Sequence, residues 1–164
     1  MTQSRRYALK YRRRRQQRTD YKKRLALLKS RQVRVVIRKS NAHTLVQFIQ
    51  YEPDGDVVVA QASTKELAEL GWKQSTGNLP AAYLAGLLAG KKASDKKVKE
   101  AVADLGMQVP ASKGRLFSAL KGVIDAGVSV PVSKDALPQE SRLQGEHIDK
   151  KVASEVETIK KKVL

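Results

Sequence analysis

The residues of this chain best able to do chemistry are cations crowded at one end. Residues 1–39 hold Arg5, Arg6, Lys10, Arg12, Arg13, Arg14, Arg15, Arg18, Lys22, Lys23, Arg24, Lys29, Arg31, Arg34, Arg38 and Lys39 against one acid, Asp20, a net +15 out of +17 for all 164 residues. Arginine outnumbers lysine 11 to 5 in this stretch. A guanidinium fork suits two-pronged contact with phosphate, whereas lysine or acids would serve solubility as well or better. Tyr7, Tyr11 and Tyr21 are interleaved with the bases and can stack on unpaired bases or sugars. No Gly or Pro occurs before Pro53, so this is no Gly/Ser linker. These residue types at this density point to nucleic-acid binding rather than to a solvated face.

Spacing narrows the partner. Successive residues on a helix turn about 100°, so Arg12, Arg13, Arg14 and Arg15 would sweep about 300° around the axis. An extended chain would send them to alternate sides. Neither arrangement lets all four touch one flat phosphate surface. The arm is therefore expected to insert between RNA segments, disordered when free and ordered on binding. Tyr21 to Ser30 reads as a helix capped by Thr19 or Asp20, with Leu25 and Leu28 facing the body and Lys22, Lys23 and Arg24 projecting.

Other chemistry is sparse. His43 and His147 are the only histidines and stand 104 residues apart, and there is no cysteine, so neither a transition-metal cluster nor a disulfide framework is expected. No nucleophile-elbow, phosphate-loop or dinucleotide pattern is present. A metal-dependent nuclease would need carboxylates converging on cations. Val33 to Lys39 has none and carries Arg34 and Arg38 instead; Asp54 and Asp56 lie in a turn, and Asp104 and Asp125 have no evident partner in the sequence. A general basic nucleic-acid-compacting protein would spread its bases over the body, yet residues 40–164 hold 17 bases against 15 acids. No apolar run nears the roughly 18 residues of a membrane span. No secretory segment follows the amino terminus, and the lack of cysteine fits a reducing cytosolic setting.

The elements that must position these bases can be read from periodicity. Val33 to Arg38 alternates as a strand, with Val33, Val35 and Ile37 on one face and Arg34 and Arg38 on the other. Thr44 to Glu52 is a second strand, joined through a tight Ser40-Asn41 connection, and Pro53-Asp54-Gly55-Asp56 turns into a third, Val57 to Ala62. Helices are expected over Lys65–Leu70, capped by Ser63 or Thr64, from Asn78-Leu79-Pro80 to about Ala89, and over Gly114–Ala126, closed by Gly127. Val98–Leu105 is a candidate fourth strand, with helix as the alternative; Val128–Ser133 reads as extended and Pro138–Ile148 as helical. Val152, Val156, Ile159 and Val163 mark a last amphipathic helix whose stripe a neighbouring protein or a groove of the body could cover. Leu79, Leu84, Leu120 and Ile124 are expected in the core, Trp72 in a packing position, and Gly86 and Gly90 at a close backbone contact. Together these make an α/β domain: a mixed sheet of a three-stranded antiparallel meander plus a further strand, covered by helices.

Several tracts carry a resemblance. Thr19-Asp20-Tyr21-Lys22-Lys23-Arg24-Leu25, Arg34-Val35-Val36-Ile37-Arg38-Lys39-Ser40-Asn41 and Gly77-Asn78-Leu79-Pro80-Ala81-Ala82-Tyr83-Leu84 resemble the 5S-rRNA-binding family of large-subunit ribosomal proteins, number eighteen of its series, in archaeal/eukaryotic form. Gly71-Trp72, Asp125-Ala126-Gly127, Val130-Pro131 and Gly145-Glu146-His147-Ile148 extend the likeness in order. The resemblance implies a ribonuclease-H-like, translational-machinery fold without catalysis, in the cytoplasmic ribosome. It implies 5S rRNA, large-subunit rRNA and neighbouring ribosomal proteins as partners. No membrane, small-molecule substrate or cofactor is expected, and the sequence leaves open whether structural Mg²⁺ bridges the RNA interface. It carries the family's basic arm onto Arg5, Arg6, Lys10, Arg12 to Arg15, Lys22, Lys23 and Arg24, and its hairpin contacts onto Arg38, Lys39, Ser40, Asn41 and His43. Expected boundaries are residues 1–18 for the arm, 19–132 for the globular 5S-rRNA-binding domain and 133–164 for a helical extension. Many relatives carry a glycine just before the Thr-Asp-Tyr tract, where this chain has Gln17-Arg18, and a histidine where it has Val132.

Overall fold

In the computed structural model, which describes residues 8–163, the β-branched runs pair into one four-stranded sheet. Strands β1 (Val33–Lys39), β2 (Thr44–Gln50) and β3 (Val57–Ser63) form the antiparallel meander, with Val35 opposite Phe48 and Phe48 opposite Ala60. β4 (Ala101–Asp104) runs parallel to β1, Val36 opposite Asp104, which makes the order β3-β2-β1-β4 and the sheet mixed. Val98–Leu105 is thus strand at its centre, not helix. Val128–Ser133 makes a single parallel bridge, Glu100 to Ser129, and no strand.

The helices follow their caps. α1 is one turn, Arg12–Arg15, and α2 spans Tyr21–Leu28. α3 (Leu79–Asp95) starts where Asn78 Oδ1 accepts from Ala81 N at 2.9 Å and runs six residues beyond Ala89. It continues because Gly90 lies against Val123 and Ala126, and Ala93 is buried one turn later. α4 (Arg115–Asp125) ends before Gly127, whose φ of +95° suits glycine. The two segments flanking these are shorter than expected. Lys65–Leu70 is a 3₁₀ turn at Glu66–Ala68, and Pro138–Ile148 contains α5 at Glu140–Gln144 alone. Neither Ser63 nor Thr64 caps the 3₁₀ turn, whose N-cap is Lys65; Ser63 Oγ accepts from Lys65 N at 3.3 Å just ahead of it, and Glu66 accepts from Ser63 N at 2.8 Å. Thr64 is buried and accepts from Thr44 N, tying the end of β3 to the start of β2.

Two apolar clusters share α3. One, between sheet and helices, joins Val35, Ile37, Val46 and Phe48 to Ala82, Ala89, Leu116, Leu120 and Val123. The other joins Leu67, Trp72, Leu84, Leu87 and Leu143 to Val152, Val156, Ile159 and Val163 of α6 (Lys150–Val163). The stripe of the last helix is therefore covered by a groove of the body itself. A helix buried on both sides needs apolar residues nearly all round, and α3 has them. Leu84 and Leu120 are buried and Leu79 and Ile124 half-buried; Trp72 is buried, its Nε1 donating to Ser75 O at 3.2 Å. β3 is an exposed edge, and its outer carbonyls are occupied: Lys96 donates to Val59 O and Lys92 to Gln61 O.

α3 and α4 meet backbone to backbone. A Cβ built on Gly86 would lie 2.1 Å from Ala119 O, and one on Gly122 would lie 2.1 Å from Tyr83 O. Neither neighbour is a side chain that can swing aside. Gly122→Ala is expected to destabilise the chain by about 1–3 kcal/mol or more, measured as a lowered urea midpoint; an unchanged midpoint would mean that the two helices can separate at no cost.

Candidate nucleic-acid interface

Arg12 to Arg15 complete one helical turn with all four side chains exposed, so their guanidinium groups radiate around the axis as the 100° step requires. Lys10 and Arg18 are exposed beside them; Arg5, Arg6 and Tyr7 lie outside the described residues. The chain then reverses at Gln17, whose φ of +53° lies in the left-handed region that glycine enters freely. The bend therefore exists without the glycine that many relatives carry nearby. Arg13 Nε donates to Thr19 Oγ1 at 2.9 Å across the bend. The Tyr11 and Tyr21 rings meet at 5.4 Å between centroids, tilted by 55°, so a base can stack only on the outside of this pair.

Asp20 caps α2, accepting from Lys22 N at 3.0 Å and Lys23 N at 3.2 Å. Leu25 is 59% exposed, contrary to its expected packing on the body. The face turned inward is Arg24, Leu27 and Leu28, at i, i+3 and i+4, because two polar pins set the rotation of the helix. Arg24 Nη2 donates to both oxygens of Asp56, at 3.0 and 2.8 Å, and Lys23 Nζ to Gly106 O at 3.3 Å. Lys22 remains exposed.

Arg34 requires a correction. Alternation assigned it to the outward face with Arg38, among the RNA-facing bases, but it is 2% exposed. The outward face of the sheet is covered there. The parallel register sets Asp104 opposite Val36, two residues along from Arg34 and on the same face, and the turn before β3 brings Asp56 to the same guanidinium. Arg34 Nη1 donates to Asp104 Oδ2 at 3.0 Å and Nη2 to Asp56 Oδ2 at 2.8 Å. Desolvation pushes the Asp56 carboxyl up, but the hydrogen bonds and charges of Arg24 and Arg34 outweigh it and hold it below the ordinary value of 3.8. Asp104 also accepts from Gly106 N at 2.9 Å. The partner that Asp104 lacked in the sequence is thus Arg34, and Asp125 likewise accepts from Tyr83 Oη at 3.0 Å and Lys121 Nζ at 2.7 Å. Burial, then the Asp125 charge, pushes the Tyr83 hydroxyl above the usual tyrosine range.

The connection between β1 and β2 is four residues, Ser40 to His43, with Ser40 N donating to His43 O at 2.7 Å. Ser40 and Asn41 are exposed, and the side chains of Arg38 and Lys39 are exposed at the strand end. Thr76 Oγ1 donates its single proton to Ala42 O at 2.8 Å, so its 3.1 Å contact with His43 requires the imidazole Nδ1 to donate. Two braces went unforeseen. Arg115 Nη1 donates to Ser40 O and Gly77 O at 3.0 and 2.9 Å, clamping the hairpin to the start of α3. Gln108 donates to Ile37 O at 2.7 Å and accepts from Lys39 N at 3.0 Å, prolonging the pairing of β1 past the end of β4. Both act on backbone groups, which leave no trace in side-chain pattern; the one signal was a lone arginine at a helix start.

A family described as "Ribosomal large subunit proteins 60S L5, and 50S L18" matches residues 5–102. The large ribosomal subunit protein uL18 of Korarchaeum cryptofilum is 54% identical over 149 residues, 90% of this chain and 76% of that protein. Its namesake in Halobacterium salinarum is 50% identical over 143 residues, 87% of this chain and 78% of that protein. The chain belongs to this ribosomal family. The family match takes in the arm, α2, the hairpin and Asp56, and ends within β4; Asp104, Gly106, Gln108 and Arg115 lie beyond it. Among the described residues no three His, Cys, Asp or Glu side chains gather as a metal site, and no helix is long and apolar enough to cross a membrane.

The Arg34 network yields two expectations. Asp104→Ala leaves a buried cation short of a partner and is expected to cost about 3–5 kcal/mol in urea unfolding, whereas Arg34→Met/Asp104→Leu recovers much of that loss. Asp56 is held ionised below its unfolded value of 3.8, so its contribution is full above that pH and lost as pH falls through the lower folded value. Asp56→Asn should therefore differ from the parent most near pH 7, and the two unfolding curves should converge in acid; a gap that widens in acid would be wrong.

Proposed function

We propose that this chain is a structural, non-catalytic constituent of the large ribosomal subunit that binds 5S rRNA and attaches it to the large-subunit rRNA in the central protuberance. One observation carries the proposal. Among the described residues no base from Lys10 to Lys23 has a carboxylate within ion-pair distance, because nearby Asp56 and Asp104 are engaged by Arg24 and Arg34. So concentrated a field of unpaired guanidinium groups calls for a polyanion. Residues 1–18 act as the arm, 19–132 as the 5S-rRNA-binding unit with Arg38 to His43 against the RNA, and 133–164 as a helical extension. The sheet order β3-β2-β1-β4, with β4 parallel to β1, supports a ribonuclease-H-like label for the fold. The chain then works in the cytoplasm beside other large-subunit proteins. No cofactor of its own is assigned; Mg²⁺ brought by the RNA can bridge the interface. Against nuclease chemistry stand the engagements of Asp104 with Arg34 and of Asp125 with Lys121.

Affinity is expected to come from counterion release by the arm, and specificity from the fit of the hairpin and body to folded RNA. If about six to ten phosphates are neutralised, affinity for 5S rRNA should fall roughly 10³–10⁵-fold between 50 and 200 mM salt. Deleting residues 1–18 should flatten that dependence while the body stays folded, which filter binding with circular dichroism will measure. An unchanged slope refutes the role of the arm. Displacement of 5S rRNA by equal duplex DNA in moderate salt would favour a general compacting protein instead.

A further inference from the structure

Where the arm bend, α2, the end of β1 and the loop after β4 meet, they line a cavity of about 80 Å³. It is a small concavity, partly open to solvent. Five cations line it: Arg13 and Arg18 from the arm, Lys23 and Arg24 from α2, and Arg38 from β1. Arg24 is held by Asp56. The other four have no carboxylate partner among the described residues; their hydrogen bonds, where they have them, go to neutral oxygens of Thr19, Gly106 and Ile37.

The two acids in the lining, Asp20 and Asp104, are already occupied. Asp20 accepts the backbone N–H groups that open α2, and Asp104 accepts from Arg34 and from Gly106 N. Gly106, at φ +61°, lets the loop turn close beneath Arg38: a Cβ there would fall 2.7 Å from Nη1. The result is a small concavity lined by guanidinium and ammonium groups, in which Arg34 pairs with Asp104 from behind and the backbone of α2 engages Asp20. Exposed bases that merely radiate from a helix would not build this.

We propose that this cavity is a socket for a single RNA backbone phosphate, held jointly by the arm and by β1. The inference rests on the RNA-binding function proposed above and adds to it a shared contact: the arm grips one phosphate together with the body, which fixes where the threaded segment leaves the globular unit.

Joint holding has a signature that scattered contacts lack. Arg18→Gln, Arg38→Gln and their double variant are measured for binding to 5S rRNA across salt concentrations, with folding checked by circular dichroism. Arg12→Gln, on the same arm but outside the lining, serves as the control. Each of Arg18→Gln and Arg38→Gln is expected to weaken binding about tenfold. The double variant should fall well short of a hundredfold and lower the salt slope by about one unit rather than two. Arg12→Gln combined with Arg38→Gln should instead add. If Arg18 and Arg38 add as fully as the control pair, in affinity and in slope, the socket is overturned while the RNA-binding function stands. A parent chain that binds no 5S rRNA at low salt overturns both.

Discussion

A single buried guanidinium holds the cationic front of this molecule to its nearly neutral body. Arg34, the second residue of β1, reaches Asp104 on the neighbouring parallel strand with one nitrogen and Asp56 before β3 with another, and through Asp56 joins Arg24 on α2. Placing such a charge in the interior is costly unless it is paired. Two carboxylates take its terminal nitrogens, Nε alone being left without a hydrogen-bond partner, and four pieces of chain share one electrostatic centre. α2 has few apolar contacts to hold it, so its position over the sheet depends on this centre and on Lys23 at Gly106 O. The same pairing keeps two carboxylates from neutralising the arm. One interaction thus fixes the geometry of the basic surface and preserves its charge.

Much of this was legible beforehand. The β-branched alternation of Val33 to Ile37 and the turn at Pro53 to Asp56 define a meander that the registers reproduce. Asn78-Leu79-Pro80 marks the start of α3 because a cap side chain and a proline act within four residues. What could not be read was anything settled by partners distant in sequence. Arg34 looked outward because alternation distinguishes two faces but does not tell which is covered, and its partner Asp104 is 70 residues away. The groove under α6 is assembled from Leu67, Trp72, Leu84 and Leu143, no two of which form a local pattern. Leu25 was misplaced for a related reason: a short, basic helix turns to satisfy its pinned charges, not its leucines.

The candidate interface divides the same way. Bases on the arm are apparent as composition. The cavity between arm and body, the Arg115 clamp and the Gln108 bridge are properties of the fold, since each depends on backbone carbonyls or on elements brought together from residues 13, 38 and 106. The hairpin is therefore presented as a rigid tip, held from behind at Ser40 and Gly77.

The outer rim of β3 leads to a last point. A bare strand margin invites a second copy of the chain to zip alongside, and a molecule gathered at high local density on a polyanion would meet its twins often. Lys92 and Lys96 already sit on the carbonyls such an intruder would need. Crowding on RNA therefore need not turn into self-assembly, and the protein can be concentrated by its ligand while remaining single.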